Sequence, residues 1–126
     1  MTYKHRVLLA LGTNTHQEEN LQHAKMLLSK EWKNIRFSTG KWTEPLGIVS
    51  DLFLNCLAVV QVEEDFIKTQ EKIKKMEREC GDTASARTQY HIVMDIDILQ
   101  FDDKRLHIND WNRDYISVLL KEFEDK

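Results

Sequence analysis

Two aspartates stand one residue apart in the apolar run "HIVMDIDILQF", residues 91–101. Successive strand residues point to opposite sides of a sheet, so Asp95 and Asp97 share one side, their Cα atoms roughly 6.5–7 Å apart. Two carboxylates so placed resist joint ionisation unless a cation stands between them. Mg²⁺ commonly takes one or two carboxylates and completes its shell with water and phosphate oxygens. The pair therefore suits a Mg²⁺–nucleotide site. The plain alternative is two solvated surface aspartates, and the apolar flanks weigh against it. Neither GxxxxGK[ST] nor GxGxxG occurs, so a nucleotide here would be held by metal and scattered side chains.

The same alternation places Ile92, Met94, Ile96 and Ile98 on a core face, and His91, Val93 and Leu99 beside the aspartates. In "LFLNCLAVVQVE", residues 52–63, it puts Leu52, Leu54, Cys56, Ala58, Val60 and Val62 on one face. Phe53, Asn55, Leu57 and Val59 take the other, which joins an aromatic ring to an amide on one side of the strand.

The elements that carry these residues follow from periodicity. "YKHRVLLALGTN" reads as a first strand closed by Gly12. "QEENLQHAKMLLSKEW" reads as a helix with Leu21, Ala24, Leu28 and Trp32 inward. "NIRFSTGKW" alternates Ile35, Phe37 and Thr39 as a strand, and "TEPLGIVSD" is a loop. "DFIKTQEKIKKMEREC" is a second helix, its inner side traced by Phe66, Ile67, Gln70, Ile73, Met76 and Cys80, with Gly81 as C′ residue. "DTASART" reads as a polar loop. A terminal helix from about Asp114 carries the stripe Ile116, Leu119, Leu120 and Phe123. The order β-α-β-β-α-β plus a C-terminal helix predicts a ferredoxin-like α+β sandwich, an antiparallel sheet with helices on one face.

The chain has 126 residues, 41% hydrophobic and 31% charged, which fits a single domain over 1–126 with a core of its own. Its net charge of −3 argues against a nucleic-acid binder. No apolar run is long enough to span a bilayer and none resembles a signal peptide, so the expected compartment is the cytoplasm. Cys56 and Cys80 lack CxxC spacing and read as reduced core thiols.

Taken together, "LALGTN", "WTEPLG", "LFLNCLAVV", "IKKMERECG" and "DIDIL" resemble, in order, the motifs of the 6-hydroxymethyl-7,8-dihydropterin pyrophosphokinase (HPPK) family of folate biosynthesis. The resemblance runs nearly end to end, with a shortened C-terminal part. It implies transfer of pyrophosphate from ATP to the hydroxymethyl group of a reduced pterin, releasing AMP. It implies two Mg²⁺ ions between Asp95, Asp97 and the phosphates, and a pterin stacked between Phe53 and Tyr115 with Asn55 on its edge. Thr43 and Leu46 match loop positions whose backbone meets the pterin. "NRDY" resembles N-R-x-F and gives Arg113 a catalytic position. For Tyr115, packing of the tail is the competing reading. Glu77 matches the family's I-E position, but a glutamate at a helix end needs no ligand, and it stays outside the expected site.

The likeness lapses before the aspartates. The family's arginine-rich loop, with W-G-P-R, is here "GDTASARTQYHIVMD": Ile92 stands for the arginine and Gln89 for the tryptophan. Arg87 remains as an ATP contact or as a solvated loop charge, and His91 as a substitute cation or an ordinary sheet-face residue. His107, six residues before Arg113, matches an ATP-contacting histidine, unless "FDDKRLH" is the strand and turn ahead of that motif. The expectation is a monomeric pyrophosphokinase acting on ATP and a reduced pterin, weakened by the missing arginines. Its rivals are a non-catalytic pterin- or nucleotide-binding module and a Mg²⁺-dependent enzyme with another substrate.

Overall fold

The computed structural model describes residues 4–48 and 50–124. Its centre is β1 (His5–Thr13), flanked antiparallel by β4 (Phe53–Val62) and β5 (Asp95–Phe101). β2 (Arg36–Phe37) and β3 (Lys41–Thr43) pair with the outer edge of β4, and β6 (Lys104–Arg105) pairs with β5. The expected strand through Ile35–Thr39 is thus two short strands. Ser38 breaks the run: its hydroxyl accepts from the Leu57 N–H at 2.8 Å and donates to the Thr39 carbonyl.

Helices α1 (Gln17–Glu31) and α2 (Phe66–Glu79) cover one face of the sheet. Leu9, Leu11, Cys56, Ala58, Met94, Ile96 and Ile98 meet Leu21, Ala24, Leu28, Ile73 and Met76 there, as the alternation requires. Burial of such side chains contributes about 1.5–3 kcal/mol each for the larger ones. α2 begins at Asp65, whose side chain accepts from the Lys68 N–H, and ends at Gly81, where φ is +97°. Its inner stripe is Thr69, Ile73, Met76, Glu77 and Cys80, while Ile67 is 63% exposed and Gln70 is exposed. Thr69 and Glu77 take inner places instead of Ile67 and Gln70, and both find partners: the Thr69 hydroxyl donates to the Asp65 carbonyl, and Glu77 accepts from β5.

The opposite face of the sheet is not open throughout. α4 (Asp114–Leu120), with a 3-10 turn at Lys121–Phe123, covers Leu8, Leu57, Val59 and Leu99 with Tyr115, Ile116, Leu119 and Phe123. Glu122 anchors this tail by accepting from the Thr39 N–H and hydroxyl at 2.8 and 2.6 Å. Only the other end of the face stays uncovered. The "DTASART" segment contains a short helix, α3 (Ala84–Thr88), started by the Thr83 hydroxyl accepting from the Ala86 N–H.

Candidate active site

The uncovered end of the second sheet face is a cavity of about 200 Å³. Its floor follows from register. Gly12 lies between Asn55 and Asp95 across the sheet, and Ala10 lies beside Asp97. Small residues on the central strand leave a hollow, while Phe53, Asn55, Asp95 and Asp97 rise around it. A Cβ on Gly12 would stand 3.0 Å from Asn55 Oδ1 and 3.8 Å from the Phe53 ring, so the hollow depends on that glycine. The loop after β3 adds Glu44, Leu46 and Ile48, and the C-terminal segment adds Asp110, Arg113 and Tyr115. Gly47, at φ +75°, makes the turn that brings this loop back.

The structure gathers Leu46, Phe53, Asn55, Asp95, Asp97, Arg113 and Tyr115 around one cavity. Thr43 sits behind it. Its hydroxyl accepts from Asn55 Nδ2 at 2.7 Å, and the same nitrogen donates to the Lys41 carbonyl at 3.1 Å. With both donors used inside the sheet, Asn55 Oδ1 is left to accept from a ligand edge. Tyr115 is 9% exposed, and the Arg113 guanidinium lies 4.9 Å from the centre of its ring. Tyr115 packs the tail and also lines the cavity.

The strand with the aspartates begins only at Asp95, not at His91. Before it the chain is a loop held by Asn14. The Asn14 side chain donates to the Tyr90 carbonyl at 2.8 Å and accepts from the Ile92 N–H at 2.7 Å. Ile92 is therefore half-buried and fixed by its backbone, rather than extending the core face. His91 faces away to Thr15 Oγ1, 3.0 Å from its Nδ1. From the helix side, Glu77 Oε2 accepts from the Ile96 N–H at 2.6 Å. At Ile96 no strand pairs with the outer edge of β5, so this carboxylate supplies the missing acceptor. Burial pushes the Glu77 carboxyl above its usual range.

Asn14 and Glu77 are the positioning residues that sequence reasoning passed over. Both lie in recognised motifs, but their partners are a distant loop and a distant strand.

Burial first, and then the neighbouring Asp95 charge, together raise the Asp97 carboxyl to about 8. Such a pair is built to receive positive charge, and its hard oxygen donors fit Mg²⁺. Arg87 supplies part of that charge: its Nη2 lies 3.3 Å from Asp95 Oδ1, and its Nε donates to Asp82 Oδ2 at 2.8 Å. It is thus neither a free loop charge nor a free phosphate ligand. His107 stands at the exit of the β5–β6 hairpin, its Nε2 3.9 Å from Asp97 Oδ1. "FDDKRL" forms that hairpin, and the histidine stands beside Asp97 without lining the cavity itself.

The fold and site define an α+β sandwich whose uncovered sheet end is a cavity lined by two aromatic rings and paired carboxylates. The family model for 7,8-dihydro-6-hydroxymethylpterin-pyrophosphokinase (HPPK) matches residues 8–125, and the chain belongs to this family. That family transfers pyrophosphate from ATP to hydroxymethyldihydropterin in folate synthesis and uses Mg²⁺ with ATP. No curated protein matches the chain. Among solved structures, a "De novo designed protein Foldit4" matches at TM-score 0.42 and 8% identity, over 82% of this chain and 100% of that one. No helix among the described residues is long and apolar enough to cross a membrane.

Proposed function

We propose that this chain transfers pyrophosphate from ATP to 6-hydroxymethyl-7,8-dihydropterin, releasing AMP. The observation that carries the reading is the convergence of Phe53, Asn55 and Tyr115 with Asp95 and Asp97 on one small cavity. Phe53 and Tyr115 stack the flat heterocycle, Asn55 Oδ1 reads its edge, and the backbone at Thr43 and Leu46 closes the slot. Stacking orders a planar ligand at low entropic cost. Asp95 and Asp97 hold two Mg²⁺ ions, which when bound supply neutralising charge to the triphosphate. Arg113, beside Tyr115, reaches the transferring phosphates from the C-terminal side, and ATP lies near His107 and near Arg87, whose guanidinium also holds Asp82 and Asp95. The protein's work is positioning and charge stabilisation, with no general base assigned.

We take the chain as one domain over 1–126, acting as a monomer in the cytoplasm on ATP and a reduced pterin, without nucleic acid or membrane. Turnover is slow because the loop before Asp95 has lost its arginines, and lysine or neutral residues do not replace bidentate phosphate contacts.

One observation favours a second reading, pterin binding without transfer. Arg87 is engaged by Asp82 and Asp95, and the cavity wall carries Glu44 and Asp110 as further acids. The deciding experiment measures AMP release from ATP, Mg²⁺ and 6-hydroxymethyl-7,8-dihydropterin. Wild type should release AMP, and Asp95→Ala and Asp97→Ala should abolish it. Turnover that survives both changes refutes the metal assignment. Calorimetric pterin binding without AMP establishes the binding module, and neither signal points to a different substrate.

A further inference from the structure

We propose that Asp97, His107 and Asp110 form a separate divalent-cation site that takes a first-row transition ion such as Mn²⁺ or Zn²⁺ in preference to Mg²⁺. Their ligand atoms, two carboxylate oxygens and an imidazole nitrogen, all lie within 4.8 Å of one another. Ligand bonds to such ions are about 2.0–2.2 Å, so ligands on opposite sides of an ion stand about 4.0–4.4 Å apart. At most one pair of three ligands can stand opposite, and neighbouring ligands stand about 3 Å apart, so the site closes by side-chain rotation on the order of 1 Å, chiefly of the exposed His107.

The placement is a product of the fold. The β5–β6 hairpin folds the chain back so that the Leu106 N–H donates to the Leu99 carbonyl at 2.8 Å, bringing His107 alongside Asp97. The chain then turns sharply. His107 is left-handed at φ 50°, and its carbonyl accepts from the Asp110 N–H at 2.9 Å, so His107 caps the 3-10 turn Ile108–Asn112 that carries Asp110. Trp111 holds the turn against the sheet. Its Nε1 is shared between the Leu106 and Leu99 carbonyls at 3.0 and 3.3 Å, and Arg105 lies 4.1 Å from its ring centre. The donor atoms are thus carried by a pinned strand and a pinned turn.

Donor chemistry sets the selectivity. Mg²⁺ favours an all-oxygen shell, whereas an imidazole nitrogen suits first-row transition ions. The site shares Asp97 with the Asp95–Asp97 pair and adjoins it, Asp110 lining the same cavity while His107 comes from outside it. Ion binding here needs neither nucleotide nor pterin, so it stands whether or not the chain transfers pyrophosphate. Only one consequence rests on that transfer: His107 would then reach the nucleotide through the ion.

The test is Mn²⁺ binding to the metal-stripped full-length chain, without nucleotide, followed by electron paramagnetic resonance. One Mn²⁺ should survive an about hundredfold excess of Mg²⁺ and show coupling to an imidazole nitrogen. His107→Gln should remove that coupling, and Asp110→Asn should weaken binding by about tenfold or more. Asp97→Asn should abolish it. Full displacement by Mg²⁺, absence of nitrogen coupling in wild type, or undiminished binding in Asp97→Asn would each overturn the site. The wild-type spectrum alone decides the matter if a variant misfolds.

Discussion

Replacing Asp97 by asparagine should stabilise the metal-free protein, and increasingly so as pH rises. In the folded chain burial and Asp95 raise the Asp97 carboxyl from 3.8 to about 8. A carboxyl raised in this way holds a proton that the unfolded chain has already released. Its contribution to stability is complete below about pH 4 and is lost as pH climbs toward about 8. The span is about 4 units at ~1.4 kcal/mol each, an upper bound. The Asp97 side chain is 24% exposed, and water entry with local relaxation at such a site reduces the effect to about 2 kcal/mol. Asparagine keeps the shape and carries no charge. Urea denaturation in a chelator, at about pH 5 and about pH 8, should show the variant's advantage growing by roughly 1–2 kcal/mol, about 5 °C in Tm. Titrating groups remote from Asp97 cancel in the difference between the two proteins, and relief of Asp95 acts in the same direction. Mg²⁺ added at the higher pH should erase the advantage, because only wild type offers it two carboxylates. An advantage that stays constant with pH, or shrinks as pH rises, refutes the buried-pair account.

Gly12→Ala should raise the KM for the pterin about tenfold while moving the KM for ATP less than twofold, since its Cβ would crowd Asn55 Oδ1 and Phe53 and leave the carboxylates untouched. Glu77→Leu should cost about 1–3 kcal/mol in urea denaturation by leaving the Ile96 N–H without an acceptor, and Glu77→Gln should restore most of it. Burial pushes the Cys56 and Cys80 thiols up to about 11, so a disulfide reagent near neutral pH should modify neither in the folded chain and both in urea. Rapid modification of the native protein would show that these segments open far more readily than their packing implies.

Strand alternation alone separated Ile96 and Ile98 from Asp95 and Asp97, and Leu54 and Cys56 from Phe53 and Asn55. A backbone with a two-residue period leaves no other choice once one face is apolar. Helical spacing found the inner face of α1, since Leu21, Ala24 and Leu28 have no polar competitor. It misassigned part of α2, where Thr69 and Glu77 are buried because of bonds that a linear reading cannot see. The motif resemblance named the cavity residues but not their arrangement.

Sequence by itself therefore determined which residues share a face, and with them the aromatic, amide and carboxylate groups of the site. Tertiary structure decided how far that face is covered: α4 caps one end and leaves the other hollow over Gly12 and Ala10. It also decided that Arg87 leans on Asp95, that Asn14 and Glu77 fix the strand carrying the aspartates, and that a hairpin returns His107 and Asp110 to Asp97. Local pattern follows from backbone geometry within a few residues. These contacts join positions far apart in the chain, 83 residues for Thr39 and Glu122, and form only when the whole sheet has closed around β1.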